Sequence, residues 1–189
     1  MNAKPTICVF CGSSPGNDPA YAQAATLFGR LLGERGFNLL FGGGYIGLMG
    51  LVAHAARDAG AYVTGILPEF LRHLEPPSHD AQRVIITPDL QERKRLMLNL
   101  ADGFAVLSGG LGTMDEFFEV VTSVQLDVFD RPIALVDTMH VFGPLEMLLD
   151  HLVAAGFAAE GTKTLYRRLA TPGEAIEFLS ERLLRAPGA

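Results

Sequence analysis

The chain has 189 residues, 15 of them Lys or Arg against 21 Asp or Glu, for a net charge of −6, and 49% are apolar. An acidic chain without a basic block argues against a nucleic acid partner and an anionic membrane surface, and no apolar run approaches the ~20 residues that span a bilayer. Two cysteines, Cys8 and Cys11, cannot build a disulfide framework, and Met1–Pro5 lacks the form of a signal peptide, so a cytoplasmic protein of one domain, 1–189, is expected.

In chain order, Thr6–Phe10 reads as a buried strand. Asp18-Pro19 then offers an N-cap and a first-turn proline to a helix over Ala20–Arg35, with Ala24, Leu27, Leu31 and Leu32 on its apolar face and Gly36 as its stop. Asn38–Phe41 is the second strand, followed by three glycines and a helix from Gly47 to Ala59. Tyr62–Leu67 is the third strand, closed by Pro68, and Arg72–Asp80 is a polar, proline-bearing loop. Arg83–Ile86 is the fourth strand, Thr87-Pro88 opens a helix to Ala101, and Phe104–Leu107 is the fifth strand. A tight loop, Ser108–Gly112, leads into a helix over Thr113–Val128, and Pro132–Val136 is the sixth strand. Helices over Pro144–Ala155 and Pro172–Arg185, the latter opened by a Thr171–Glu174 capping box, precede a frayed end at Ala186–Ala189. Apolar strands alternating with helices predict an α/β protein: a doubly wound, mostly parallel sheet with helices on both faces.

In such a sheet, ligands bind beyond the carboxyl ends of the strands. Three glycine- or serine-rich loops fall there: Cys11–Ser14, Phe41–Gly47 and Ser108–Thr113. Glycine lets backbone approach a ligand closely, and the helix that follows presents free N–H groups, so the set suggests a phosphate-bearing ligand. Tight turns alone would also use these glycines. Gly42-x-Gly44-x-x-Gly47 matches the dinucleotide fingerprint formally, but the acid expected at the end of the next strand is missing, since Glu69 comes late and after a proline. A P-loop is excluded because no Gly-Lys-Ser/Thr follows either glycine cluster.

SGGLGTMDE, residues 108–116, is the most informative segment. Gly110, Gly112 and Thr113 would offer N–H groups and a hydroxyl to a phosphate, with Glu116 one turn on. The plainer reading is a Thr113–Glu116 capping box, with Asp115 favouring the helix dipole. Asp89–Arg95 is a second charged constellation. It reads either as an exposed helix face with an Asp89–Arg93 pair or as cations meeting a phosphate or base. Cys8 and Cys11 read as buried residues, the five histidines have no metal spacing, and no G-x-S-x-G elbow appears.

CGSSPG near the start, FGGGYIGLMG after the second strand, ERK before the fifth and SGGLGTMDE after it together resemble the LOG ("lonely guy") family, over about residues 7–136. Those are cytokinin riboside 5′-monophosphate phosphoribohydrolases, often labelled lysine decarboxylases. The resemblance implies a Rossmann-like fold and hydrolysis of a nucleoside 5′-monophosphate, AMP or a cytokinin precursor, to free base and ribose 5-phosphate. It implies catalytic roles for Glu116 and Arg93. Substrate contacts are expected from Lys94, Glu75, Gly109, Gly110, Leu111, Gly112, Thr113 and Thr122, with Ser13 and Gly43 from the other two loops. It implies a homodimer, for which the helix over Phe117–Leu126 offers an apolar surface, and no cofactor or metal; no lysine is placed for a pyridoxal Schiff base. The chain departs from the family at Ser108, where proline is usual, at Leu90-Gln91, where Met-His is usual, and at Ser123 and Asp127. The helix N-terminus is expected to keep Glu116 ionised, while Arg93 positions the nucleotide or supports charge on the departing base. A non-catalytic nucleotide-binding sensor or carrier is the competing reading, and an NAD-dependent oxidoreductase a third.

Overall fold

The computed structural model describes residues 4–73 and 77–184. Seven parallel strands form one sheet in the order β4-β3-β2-β1-β5-β6-β7. They are β1 (Thr6–Phe10), β2 (Asn38–Phe41), β3 (Val63–Pro68), β4 (Arg83–Thr87), β5 (Gly103–Val106), β6 (Ile133–Val136) and β7 (Arg167–Leu169). The helices are α1 (Pro19–Glu34), α2 (Gly47–Asp58), α3 (Leu90–Leu100), α4 (Leu111–Gln125), α5 (Gly143–Ala154) and α6 (Pro172–Leu183). The expected α/β fold is present, with every strand pair parallel. Arg185 and Ala186–Ala189, expected as a helix end and a frayed tail, lie outside the described residues.

Strand side chains alternate between two cores, as a period of two requires. Ile7, Val9, Leu39, Phe41, Ala105, Ala134 and Val136 pack against α1, α2 and α6. Cys8, Phe10, Leu40, Phe104, Val106, Ile133 and Leu135 pack against α3, α4 and α5. Burial on both faces is why these strands read as unbroken apolar runs.

Two sequence expectations need correction. The buried face of α1 carries Ala25, Phe28, Gly29, Leu32 and Gly33, one residue round from the face its leucines suggest. The small residues decide this: a methyl on Gly29 would overlap Val52 of α2, so α1 turns its glycines toward that neighbour. The seventh strand, β7, was not expected. It is three residues of mostly exposed chain (Arg167, Arg168, Leu169) and pairs only with β6 at the sheet edge.

The strand order fixes where a ligand can enter. From β1 the chain winds outward through β2, β3 and β4, then returns to place β5 on the other side of β1 and winds outward again. The connections leaving β1 and β5 therefore diverge, which opens a crevice at the carboxyl ends of these two strands.

Candidate active site

Backbone hydrogen bonds lace the loops at this crevice together. The Gly12 N–H after β1 donates to the Ser108 carbonyl after β5 at 3.0 Å. The Gly12 carbonyl in turn accepts from the Leu48 N–H in the first turn of α2, also at 3.0 Å. Gly109 has to be glycine here, because a methyl on it would overlap the Thr113 side chain. Gly110 and Gly112 differ: a methyl on either would meet no protein atom. The fold does not require glycine at these two positions, so the room in front of them is open to a ligand.

Two helices bring the charged pair into this crevice. Asp89 caps α3 by accepting the Glu92 N–H at 2.8 Å, and Arg93 follows one turn in. Arg93 Nη2 donates to Glu116 Oε1 of α4 at 3.2 Å, and the two side chains are only 12% and 11% exposed. The guanidinium lies over Gly42, where a methyl would overlap Nη2. Its Nε is buried without a protein partner among the described residues. Burial raises the Glu116 carboxyl to about 7; Arg93 and Lys94 pull it down, and Asp115 and Glu119 push it up.

These positions overturn three local expectations. Thr113–Glu116 is not a capping box, because α4 begins at Leu111 with Gly110 as its N-cap and no side-chain cap. Glu116 is therefore in the second turn, where the helix dipole has faded, and burial rather than the helix end sets its ionisation. Asp89 and Arg93 do not pair on an exposed face; Asp89 caps its own helix and Arg93 crosses to α4.

A cavity of about 300 Å³ unites Arg93 and Glu116 with Ser13, Gly110, Leu111, Gly112 and Thr113. Cys11, Met49, Leu71 and Leu90 supply an apolar wall to it. Sequence reasoning placed Cys11 in one of the ligand-facing loops and marked Leu90 as a departure, but did not assign Met49 or Leu71 to the site. Burial pushes the Cys11 thiol well up, so it stays neutral there. A second cavity of about 330 Å³ shares Gly12, Ser13 and Gly110 with the first and adds Gly109, Ser108 and Val141. The remaining candidates stand apart. Gly43 packs against Ile66 and Leu67 in a left-handed turn of φ 82°. The Lys94 ammonium is held by Asp115 and Glu119. Thr122 is exposed on α4, and Glu75 lies outside the described residues.

A larger hollow, about 630 Å³, lies between the starts of β6 and β7, near Arg131, Lys163, Arg168 and Arg182. Much of its charge is engaged: Arg131 donates to the Leu98 carbonyl in the last turn of α3, Arg168 pairs with Asp137 and Lys163 with Asp150. The buried pair lies elsewhere, at the carboxyl ends of the central strands β1 and β5.

A family described as "possible lysine decarboxylase" matches residues 49–179. The rice (Oryza sativa subsp. japonica) cytokinin riboside 5′-monophosphate phosphoribohydrolase LOG is 38% identical over 93% of this chain and 72% of its own length. The chain belongs to the LOG family. A bacterial member, the cytokinin riboside 5′-monophosphate phosphoribohydrolase of Rhodococcoides fascians, is 37% identical over 86% of this chain and 84% of its own. The LOG fold extends to more distant structures. The molybdenum cofactor binding protein of Rippkaea orientalis superposes with a TM-score of 0.76 at 21% identity, covering 97% of this chain and 99% of that one. The molybdenum cofactor carrier protein of Chlamydomonas reinhardtii gives 0.75 at 20%, over 97% and 100%.

Proposed function

We propose that this LOG-family chain hydrolyses the N-glycosidic bond of a nucleoside 5′-monophosphate, AMP or a cytokinin riboside monophosphate, to free base and ribose 5-phosphate. The observation that carries the reading is the buried Arg93–Glu116 pair, 3.2 Å apart, in the cavity that the start of α4 opens onto. Binding a phosphate calls for the α4 N-terminus alone. A buried carboxylate beside it serves a reaction.

Each part of the cavity matches one part of the substrate. The first N–H groups of α4, at Leu111, Gly112 and Thr113, have no intrahelical acceptor, and the glycines leave room for the 5′-phosphate to reach them. Breaking the glycosidic bond leaves positive charge on the ribose. The ionised Glu116 carboxylate stabilises that charge and orients or deprotonates the attacking water. Arg93 is too weak an acid to give up a proton. It steadies Glu116 and supports negative charge on the departing base.

The proposal includes a homodimer. Leu111, Phe118 and Leu126 are 91%, 38% and 67% exposed along the outer side of α4, whereas Phe117 belongs to the core and cannot contribute. Thr122 shares that outer side, so in a dimer it faces the second copy rather than its own cavity.

The test is chromatographic detection of base released from AMP and from N6-isopentenyladenosine monophosphate. Glu116→Ala and Arg93→Ala serve as controls, the former expected to slow turnover by roughly 10²- to 10⁴-fold. Tight binding of AMP without base release by the wild-type protein would replace this reading with that of a nucleotide carrier or sensor.

A further inference from the structure

Arg93 and Lys94 are consecutive on α3, and both reach α4. Arg93 takes Glu116. Lys94 Nζ lies 3.0 Å from Asp115 Oδ2 and 2.9 Å from Glu119 Oε2, the carboxylates one residue before and three residues after Glu116. Its side chain is 12% exposed and is not part of the cavity wall. We infer that Lys94 is a positioning residue: its ammonium neutralises the two carboxylates flanking Glu116 and so favours the ionised form of Glu116 that pairs with Arg93.

The charges around Glu116 support this assignment. From α3 it faces Arg93 and Lys94, and on its own helix Asp115 and Glu119. From β1 and its loop come Cys8 and Cys11, whose thiols burial holds neutral. Two nearby carboxylates therefore oppose ionisation of Glu116 and two cations favour it. Without Lys94, the flanking carboxylates would lose their counter-charge, and Arg93 alone would oppose three acids. Burial pulls the Lys94 ammonium toward deprotonation, but Glu119 and Asp115 more than offset this and raise its pKa, so it remains a cation throughout the working range. With its charge already spent on α4, Lys94 has little left to give a substrate phosphate.

The role of Glu116 in turnover rests on the phosphoribohydrolase reading, but the electrostatic claim does not, and the experiment separates them. The Glu116 carboxyl is titrated in the ligand-free protein by isotope-edited infrared spectroscopy, its band identified by its loss in Glu116→Gln. Lys94→Met should raise the midpoint by roughly one pH unit. Lys94→Arg should return it, and adding Asp115→Asn and Glu119→Gln to Lys94→Met should do the same. Should Lys94→Met fail to fold, Asp115→Asn/Glu119→Gln in the wild-type background should lower the midpoint instead. In turnover, the acid limb for Lys94→Met should move with the titration, giving roughly a tenfold loss near about pH 6 and little loss in alkali, with KM for AMP unchanged. An unmoved midpoint in folded Lys94→Met, or in the Asp115/Glu119 double variant, overturns the inference; a KM raised at every pH would then return Lys94 to the substrate. A wild-type protein that releases no base would sink the phosphoribohydrolase reading while leaving the titration to judge Lys94.

Discussion

Gly42 is where a single methyl group should separate activity from folding. Its Cα lies beneath the Arg93 guanidinium, with Met49 Sδ 3.0 Å from where a Cβ would stand. Gly42→Ala should keep the fold and displace Arg93 from Glu116, lowering kcat by roughly tenfold or more. Steady-state kinetics beside a melting curve checks it, and unchanged kcat would mean the guanidinium has another resting place. Glu116 carries a second consequence at this scale. Its carboxyl sits at about 7 in the folded chain, above the ordinary 4.5. The folded state thus holds its proton more tightly than the unfolded state does, so its contribution to stability is full below about pH 4.5 and is lost as pH rises through about 7. The expected outcome is that Glu116→Gln flattens the fall in urea midpoint between about pH 5 and 8 relative to wild type. Arg93 and Glu116 were legible because their motifs keep a recognisable order along the chain. The carboxylate's environment was not. A Thr-x-x-Glu pattern looks the same whether the helix starts at Thr113 or two residues earlier, and only the fold reveals which groups surround Glu116.

At the scale of elements, α3 transmits its N-terminal geometry to the site, because Arg93 sits just one turn beyond the Asp89 cap. Asp89→Ala removes an acceptor for the Glu92 N–H and should cost about 1 kcal/mol in denaturant unfolding. It should also lower kcat/KM, though less than Arg93→Ala does, since the side chain remains and only its platform loosens. Equal losses would mean that Asp89 touches the substrate itself. Most elements were legible from apolar periodicity and caps: Asp18 accepts the Ala20 N–H and Thr171 the Glu174 N–H at the helix starts the sequence marks. Those that escaped did so for local physical reasons. β7 is too short and polar to carry an apolar pattern, and α1 is oriented by its glycines, which a search for leucines passes over.

At the scale of the molecule, the sheet order predicts one crevice, between the divergent connections of β1 and β5, and Arg93 and Glu116 meet there. Alternating strands and helices made the doubly wound fold legible, but a single chain's pattern does not say which apolar residues remain outside. The structure leaves Leu111, Phe118, Leu126 and Val128 exposed along and just beyond α4, the helix that carries Glu116. Fully burying an exposed side chain of this kind is worth roughly 1.5 to 3 kcal/mol, and the proposed self-complementary contact through this helix would draw on the part that is still exposed. Introducing Glu at both Phe118 and Leu126 places four like charges in a symmetric contact and should yield a monomer by sedimentation velocity. Leu126 is 67% exposed in the single chain, so its substitution should change stability by no more than about 0.5 kcal/mol, whereas that of Phe118, whose ring meets Phe117 edge-on, should cost each subunit about 1 kcal/mol. If α4 also needs its partner to hold Glu116 against Arg93, the monomeric variant loses base release while remaining folded. A folded monomer with wild-type kcat would show that each subunit is complete alone, and that Thr122 plays no part across the interface.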